Sequence, residues 1–286
     1  MKILFSAENY PTPGQPVTAF IKVLIHELVK QGHDVTVIAP QSIVASLKNK
    51  TRLQPKHFLD IVDCGHKIKE INVYRPYVLT SGYGRTKKIT LWCNKKVVNR
   101  IASKLEKPDI CYAHMWTSCY NIYFYAKRNN IPLFVASGED KILIHEFISE
   151  NLIFKIREFI KGVICVSTKN MNESISCGFT TSNKCIVLPN AIDDKTFYQM
   201  NKSKVRNLLK YSEDDFIVAF LGRFYNRKGV NRVSDAIKYL NDKRIKSIFI
   251  GTNNSGEDLQ PDCDGILFKG SLPHNEVPLY LNAADV

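Results

Sequence analysis

The sequence predicts an α/β fold carried by two successive parallel-sheet units. Three observations predict it. The first 39 residues read strand, loop, helix, strand, a βαβ unit that is right-handed by default. Short apolar runs then recur, each closed by glycine or polar residues, with helically spaced apolar residues between several of them. Finally, 286 residues exceed the ~100–200 usual for one domain, so two are expected.

Lys2 to Ala7 reads as a buried strand, and a loop from Glu8 to Pro16 follows. Val17 to Gln31 carries Val17, Phe20, Ile21, Leu24, Ile25 and Leu28 at helical spacing, with Gly32 as its stop. Asp34 to Ala39 and Ile71 to Tyr74 read as strands, and Gly82 and Gly84 mark a loop. Lys87 to Lys107 reads as one long helix, with Lys96, Arg100, Lys104 and Lys107 on one face and Val97, Ile101 and Leu105 on another. That basic face suits solvent or an anionic membrane surface. Further strands fall at Pro108 to His114, Pro132 to Ala136, Gly162 to Val166 and Cys185 to Leu188, with a helix from Ser149 to Ile160. Ser167 is positioned to cap another helix. A boundary at 189/190 separates a second unit, with helices at Val205 to Leu209 and Val277 to Ala283. Its strands are Phe216 to Leu221, Ser247 to Gly251 and Ile266 to Phe268, and Ala283 to Val286 begin another.

Hydrophobic content of 44% and aromatic content of 10% are those of a globular chain with real cores. No stretch reaches the ~18 apolar residues of a membrane span. The start, Met-Lys-Ile-Leu-Phe-Ser-Ala, turns polar too soon for a signal peptide, so a cytoplasmic location is expected, with peripheral contact at the inner membrane face. None of the eight cysteines forms a C-x-x-C pair, which favours reduced, buried thiols over zinc ligands. The net charge of +13 predicts an anionic partner. Nucleic acid is not expected, because no basic stretch interleaves aromatics and no nucleic-acid module is recognisable. The first loop lacks G-x-G-x-x-G, which argues against a dinucleotide cofactor.

Phe220-Leu-Gly-Arg-Phe-Tyr-Asn-Arg-Lys-Gly-Val230 carries the chemistry. It reads as strand end, loop and helix start. Gly222 permits a sharp turn beside a ligand. Arg223 offers a planar fork of donors suited to two phosphate oxygens, and Lys228 adds a second cation. Open α/β sheets bind ligands at the carboxyl ends of their strands, where this loop falls.

The order strand, Gly-Arg, gap, Lys-Gly, helix resembles the donor-phosphate loop of family-4 glycosyltransferases of the GT-B fold. Other stretches extend the likeness over nearly the whole chain. Pro108-Asp109 to His114 resembles the family's Pro-Asp-apolar-His strand, and Pro189-Asn190-Ala-Ile-Asp193 its Pro-Asn-Gly-apolar-Asp crossing, with Ala191 for the glycine. Ser137-Gly-Glu-Asp140 resembles a segment that usually reads His-Gly-x-Asp, with Ser137 in place of the histidine. The fold implied is GT-B: two Rossmann-like domains facing a cleft, an acceptor-side domain at 1–189 and a partial nucleotide-sugar-binding domain at 190–286. The likeness stops before the family's Glu-x7-Glu segment, so the second domain is expected to be incomplete and the chain to be a fragment, itself inactive if that segment is essential.

The resemblance implies that Arg223 and Lys228 meet the diphosphate of a nucleotide-sugar. His114 is then a catalytic candidate at a strand end or a structural hydrogen-bonder. Glu139 or Asp140 holds an acceptor hydroxyl, shields positive charge on the sugar, or caps the next helix. The donor-side set is Gly14, Asn190, Gly222, Arg223, Lys228, Gly251 and Gly270, with Gly14 equally readable as a turn glycine. The expected activity is retaining, metal-independent glycosyl transfer, without a cofactor, from a nucleotide-sugar to a glycan or lipid-linked acceptor. A nucleotide-sugar epimerase of the same fold and a non-catalytic basic protein binding anions or membranes are the alternatives.

Overall fold

The computed structural model describes residues 1–12, 19–48, 52–79, 86–252 and 259–286. The chain divides into two compact units, Met1–Ala191 and Ile192–Val286.

In the first unit, β1 (Lys2–Ser6), α1 (Ala19–Lys30) and β2 (Asp34–Ile38) form the βαβ unit. Beyond α1, Gly32 takes φ +93°, while the Gly32 and His33 amides bond back to Val29 and Leu28. This is the left-handed stop that glycine makes cheap. Next come β3 (Gln41–Ser42), α2 (Ile43–Lys48), β4 (His57–Asp63), β5 (Ile68–Tyr74) and β6 (Tyr77–Val78). Then follow α3 (Lys87–Ala102), β7 (Ile110–His114), α4 (Trp116–Arg128), β8 (Leu133–Ser137), α5 (Glu150–Phe159), β9 (Gly162–Cys165), α6 (Thr168–Ser176) and β10 (Cys185–Val187). Ser149 and Ser167 cap α5 and α6, accepting from the Leu152 and Asn170 amides.

The main sheet runs β10-β9-β8-β7-β1-β2-β5-β4, parallel except for β4. The chain leaves β1 toward β2 and β5, then returns to the other side of β1 as β7, so the strand order reverses between β1 and β7. Ligand crevices open at such a reversal, beyond the carboxyl ends of the strands. Each face of the sheet is covered. Ile21, Ile25 and Val29 of α1 lie with Phe5, Val35 and Val73 on one side, and Leu91, Trp116, Ile122 and Ile156 gather on the other with Cys111 and Val135.

β3, α2 and β6 were not expected, and three further elements differ from expectation. The predicted helix over 87–107 ends at Ala102, so Lys104 and Lys107 leave its basic face. Ser103 bonds back to Asn99 through both amide and hydroxyl, and Pro108 disfavours helix at Lys107. Helix α4, where no element was expected, reads Trp-Thr-Ser-Cys-Tyr-Asn-Ile-Tyr-Phe-Tyr. These are weak helix formers, and burial on most sides erases the amphipathic pattern. Strand β4 is an antiparallel edge strand joined to β5 through a turn with Gly65 at φ +81°.

The second unit holds α7 (Lys202–Leu209), β11 (Phe216–Leu221), α8 (Val230–Leu240), β12 (Ile245–Ile250), β13 (Ile266–Gly270) and α9 (Val277–Ala283). Its sheet is parallel, in the order β11-β12-β13. Phe220, Phe224, Val230 and Phe249 pack on the α8 side, and Ile217, Ile248, Ile250 and Val277 on the α9 side. A strand was expected to begin at Ala283, but Ala283 belongs to α9 and the last three residues form no strand, though they bond to the free side of β11. The Asp285 amide donates to Ile217 at 2.8 Å and the Ala219 amide to Val286 at 2.7 Å.

A buried cation secures this return. Arg206 of α7 is 2% exposed and donates to the carbonyls of Ala283, Ser212 and Glu213 and to Asp285 at 2.6 Å. Asp285 also accepts from Lys202 at 2.8 Å and the Ile217 amide at 2.7 Å. Desolvation pushes the Asp285 carboxyl up, but these donors outweigh it and hold it at about 2. A depressed carboxyl contributes stability above its unfolded value near ~3.9 and loses it as pH falls through the folded one. Asp285→Ala leaves the Arg206 guanidinium buried without its anion. It is expected to cost about 3 kcal/mol in urea unfolding of this unit and to remove the wild-type stability loss between about pH 4 and 2.

Candidate functional site

Each unit gathers candidate side chains at the carboxyl rim of its own sheet. In the second unit the rim is paved with glycine. Leu221 pairs with Ile250, and Ile250 with Gly270, so Gly222, Gly251 and Gly270 lie at neighbouring strand ends. The Gly222 amide donates to Ile250 at 2.9 Å and the Gly251 amide to Gly270 at 2.8 Å. A Cβ on Gly251, at φ +157°, would stand 1.8 Å from the Gly222 carbonyl oxygen. No other residue fits without moving the backbone, and the rim stays bare for close approach.

The loop above it is pinned from below. Phe224 is 2% exposed and packs against Phe220, while its amide bonds to Thr252 at 3.1 Å. The flanking side chains are thereby turned outward. Arg223 is exposed and donates to the Tyr225 hydroxyl at 3.2 Å. Lys228, also exposed, closes a short 3-10 turn over Asn226–Lys228. Among the described residues neither cation is paired with a carboxylate. Gly229, at φ +80°, then turns the chain into α8, whose first amides have no side-chain cap. Open amides at a helix start carry partial positive charge and suit an anion. Two unpaired cations, a bare rim and an uncapped helix start therefore lie within one short loop. Asn190 is exposed after β10, and Gly14 lies outside the described residues. Ala191, in the glycine position of the crossing, does not take a positive φ.

In the first unit the site elements meet where β7 and β8 end. His114 closes β7 at 4% exposure, between the rings of Phe5 and Phe20, at centroid distances of 6.4 and 5.3 Å. Burial lowers its pKa to about 4, so the imidazole is neutral at pH 7. Among the described residues neither ring nitrogen has a hydrogen-bond partner. A buried polar group without a partner costs about 1–3 kcal/mol, which makes this ring a candidate for ligand contact.

Met115 follows at φ 76°, ψ 157°, a region essentially confined to glycine. The strain points the Trp116 amide, first of α4, at Glu139, whose Oε1 accepts it at 2.5 Å. Oε2 of Glu139 accepts from the Ser137 hydroxyl at 3.1 Å and the Gly138 amide at 3.0 Å. Glu139 thus caps a helix N-terminus, but of α4 before it, not of the helix after it. Desolvation raises the Glu139 pKa, and the Trp116 amide and Ser137 hydroxyl oppose that rise. Glu139 and Asp140 line a cavity of about 340 Å³ together with Glu8, Lys87, Met115, Thr117 and Lys141. Sequence reasoning missed Met115, Trp116 and the buried Ser174 behind Ser137. Strain and contacts made across 37 or 58 residues leave no local signal.

Among the described residues no group of three His, Cys, Asp or Glu side chains is arranged to hold a metal. No helix among them is long and apolar enough to cross a membrane.

Comparison with known proteins bears on the whole chain. It is 26% identical, over an alignment of 309 residues, to the "Putative teichuronic acid biosynthesis glycosyltransferase TuaC" of Bacillus subtilis (strain 168), covering 100% of this chain and 74% of that protein. Among solved structures it is similar to sucrose-phosphate synthase from Thermosynechococcus elongatus, with a TM-score of 0.68 at 14% identity, over 100% of this chain and 74% of that one. Anabaena Alr3699/HepE, solved with UDP and glucose, gives 0.59 at 17%, over 100% and 72%. The Escherichia coli trehalose-6-phosphate enzyme bound with UDP-2-fluoro glucose gives 0.67 at 12%, over 100% and 77%. These likenesses show an α/β fold of the GT-B class. The model of the family described as Glycosyltransferase Family 4 matches residues 17–196, more than half of the chain, and to that family of glycosyltransferases the chain belongs.

Proposed function

We propose that the chain transfers a sugar from a nucleotide-sugar donor to a hydroxyl of a growing glycan or polysaccharide, retaining the anomeric configuration and needing no metal or cofactor. The observation that carries the reading is the glycine-paved rim of the second unit beneath unpaired Arg223 and Lys228. As the glycosyl–phosphate bond breaks, negative charge grows on the departing diphosphate. Preorganised cations stabilise that charge more than they stabilise the intact donor. The uncapped start of α8 adds to the same field. UDP and UDP-glucose in solved structures of similar fold support a nucleotide-sugar donor. The name of the similar Bacillus protein supports an acceptor in polysaccharide synthesis.

In this reading the second unit binds the donor and the first unit the acceptor side. Gly222, Gly251 and Gly270 admit the nucleotide-sugar close to the backbone. Neutral His114 exchanges hydrogen bonds with a sugar hydroxyl, and Glu139 accepts one from another.

The acceptor glycan is lipid-linked in this proposal, with the protein resting on the inner face of a membrane. Helix α3 carries five basic and no acidic residues. Lys88, Trp92, Lys96 and Arg100 share one exposed stripe with Ile89 beside it, and Ile89 and Trp92 are 61% and 49% exposed. The Lys96 ammonium lies 3.9 Å from the Trp92 ring centroid. Ammonium groups beside exposed aromatic and aliphatic side chains match a bilayer surface of anionic headgroups.

Two measurements test these readings. Calorimetric titration with uridine diphosphate is expected to give binding that weakens about 10- to 100-fold in Arg223→Ala and in Lys228→Ala, with folding unchanged. Wild-type affinity in both variants contradicts the donor site. Sedimentation with phosphatidylglycerol-containing vesicles is expected to retain the wild type, release it with salt, and lose it roughly 100-fold in Lys88→Glu/Lys96→Glu. Equal binding to purely zwitterionic vesicles contradicts the membrane contact.

A further inference from the structure

We infer that Trp116, Ser174 and Ser137 form a one-way chain of hydrogen-bond donors that fixes Glu139 as a carboxylate and keeps one of its lone pairs for an uncharged hydroxyl-bearing ligand. The inference deepens the proposed role of Glu139 on the acceptor side and rests on that reading for the ligand's identity as a sugar.

The direction of the chain follows from what each group can do. The Trp116 indole N–H only donates, and it donates to Ser174 Oγ at 3.0 Å. The Ser174 hydroxyl therefore has its proton free to pass on, and it donates to Ser137 Oγ at 3.2 Å. The Ser137 hydroxyl in turn donates to Glu139 Oε2 at 3.1 Å. An ionised carboxylate only accepts, so each proton in the line is used once. The members sit where water cannot replace a lost partner: Ser137 and Ser174 are 0% exposed and Trp116 is 1%. The indole is held by stacking on Phe179 at 4.6 Å. Protonating Glu139 on Oε2 would reverse the Ser137 hydroxyl toward Ser174 and strand the Ser174 proton in a dry site.

The serine at 137 closes the line, because its single hydroxyl both accepts from Ser174 and donates to Glu139. Trp116 grips the carboxylate from the other side with its backbone amide, and Gly138 adds a third donor. A carboxylate has roughly four lone-pair positions, and three are occupied. Glu139 also lines a cavity with Lys87, Thr117 and Lys141, and the inference assigns the remaining position to it. The other ionisable groups facing Glu139 are Glu8 and Asp140, which repel it, and the Cys119 and Cys165 thiols, kept neutral by burial. A fixed negative charge with one vacant lone pair selects a donor such as a hydroxyl and disfavours phosphate at that position.

Ser137 and Ser174 are thus positioning residues acting through Glu139. Carboxyl carbon NMR of glutamate-labelled protein reads the claim directly, with Glu139→Gln identifying the resonance. The wild-type signal is expected to be that of a carboxylate at pH 7. Its midpoint should rise by about one pH unit in Ser137→Ala, rise less in Ser174→Ala, and stay in place in Ser174→Thr. Trp116→Phe, which deletes only the first donor, should also raise it and serves if Ser174→Ala does not fold. A protonated Glu139 in the wild type at pH 7, or a midpoint unmoved by all of the deleting variants, overturns the inference. Uridine diphosphate binding through Arg223 should be unchanged in these variants, so loss of the donor site and loss of this chain are read separately.

Discussion

A contact between two glycines underlies the functional reading of this chain. Gly251 and Gly222 approach so closely at the ends of adjacent strands that a Cβ on the first would stand 1.8 Å from the carbonyl oxygen of the second. The rim of the second sheet is consequently bare, and the side chains that follow are displaced to one side of it. Phe224 turns inward, which sends Arg223 and Tyr225 out. The rim lies at the carboxyl ends of the parallel strands β11, β12 and β13, where open α/β sheets bind ligands. Bare backbone and an exposed cation thus adjoin one another at the strand ends.

The first unit solves a different electrostatic problem. Its functional groups are buried, so they need internal partners where Arg223 and Lys228 rely on solvent. His114 meets burial by staying neutral. Glu139 meets it with three directed donors, one of them obtained by holding Met115 in a strained conformation of order 1–3 kcal/mol. Strain of that size persists only where the surroundings over-determine it, and here the pairing of the Met115 amide with Ala136 and the packing of Trp116 on Phe179 do so.

Legibility in the sequence followed the range of the interactions. Phe216–Leu221, Gly222-Arg223 and Lys228-Gly229 are contiguous, so strand, turn and cations were readable from their order alone. The cap residue Ser167 was readable for the same reason, since a cap bonds within three residues. Helix α4 was hidden because burial on most sides removes the polar stripe that marks a helix. The basic face of α3 was overdrawn by five residues because charge spacing continues past the point where Ser103 and Pro108 stop the backbone. Ser174 was unreadable, as its two partners lie 37 and 58 residues away in sequence. The serine at 137 was visible as a departure from the family's histidine, but its consequence needed the third dimension.

The proposed donor site puts a diphosphate on the glycine rim of the second unit under Arg223. Amide resonances recorded while uridine diphosphate is added test it most directly. Concentration-dependent shifts are expected at Gly222, Arg223, Gly251 and Gly270, with the Arg223 side-chain signal moving alongside them. Saturating shifts confined to other strands, with these four signals unmoved, would contradict it.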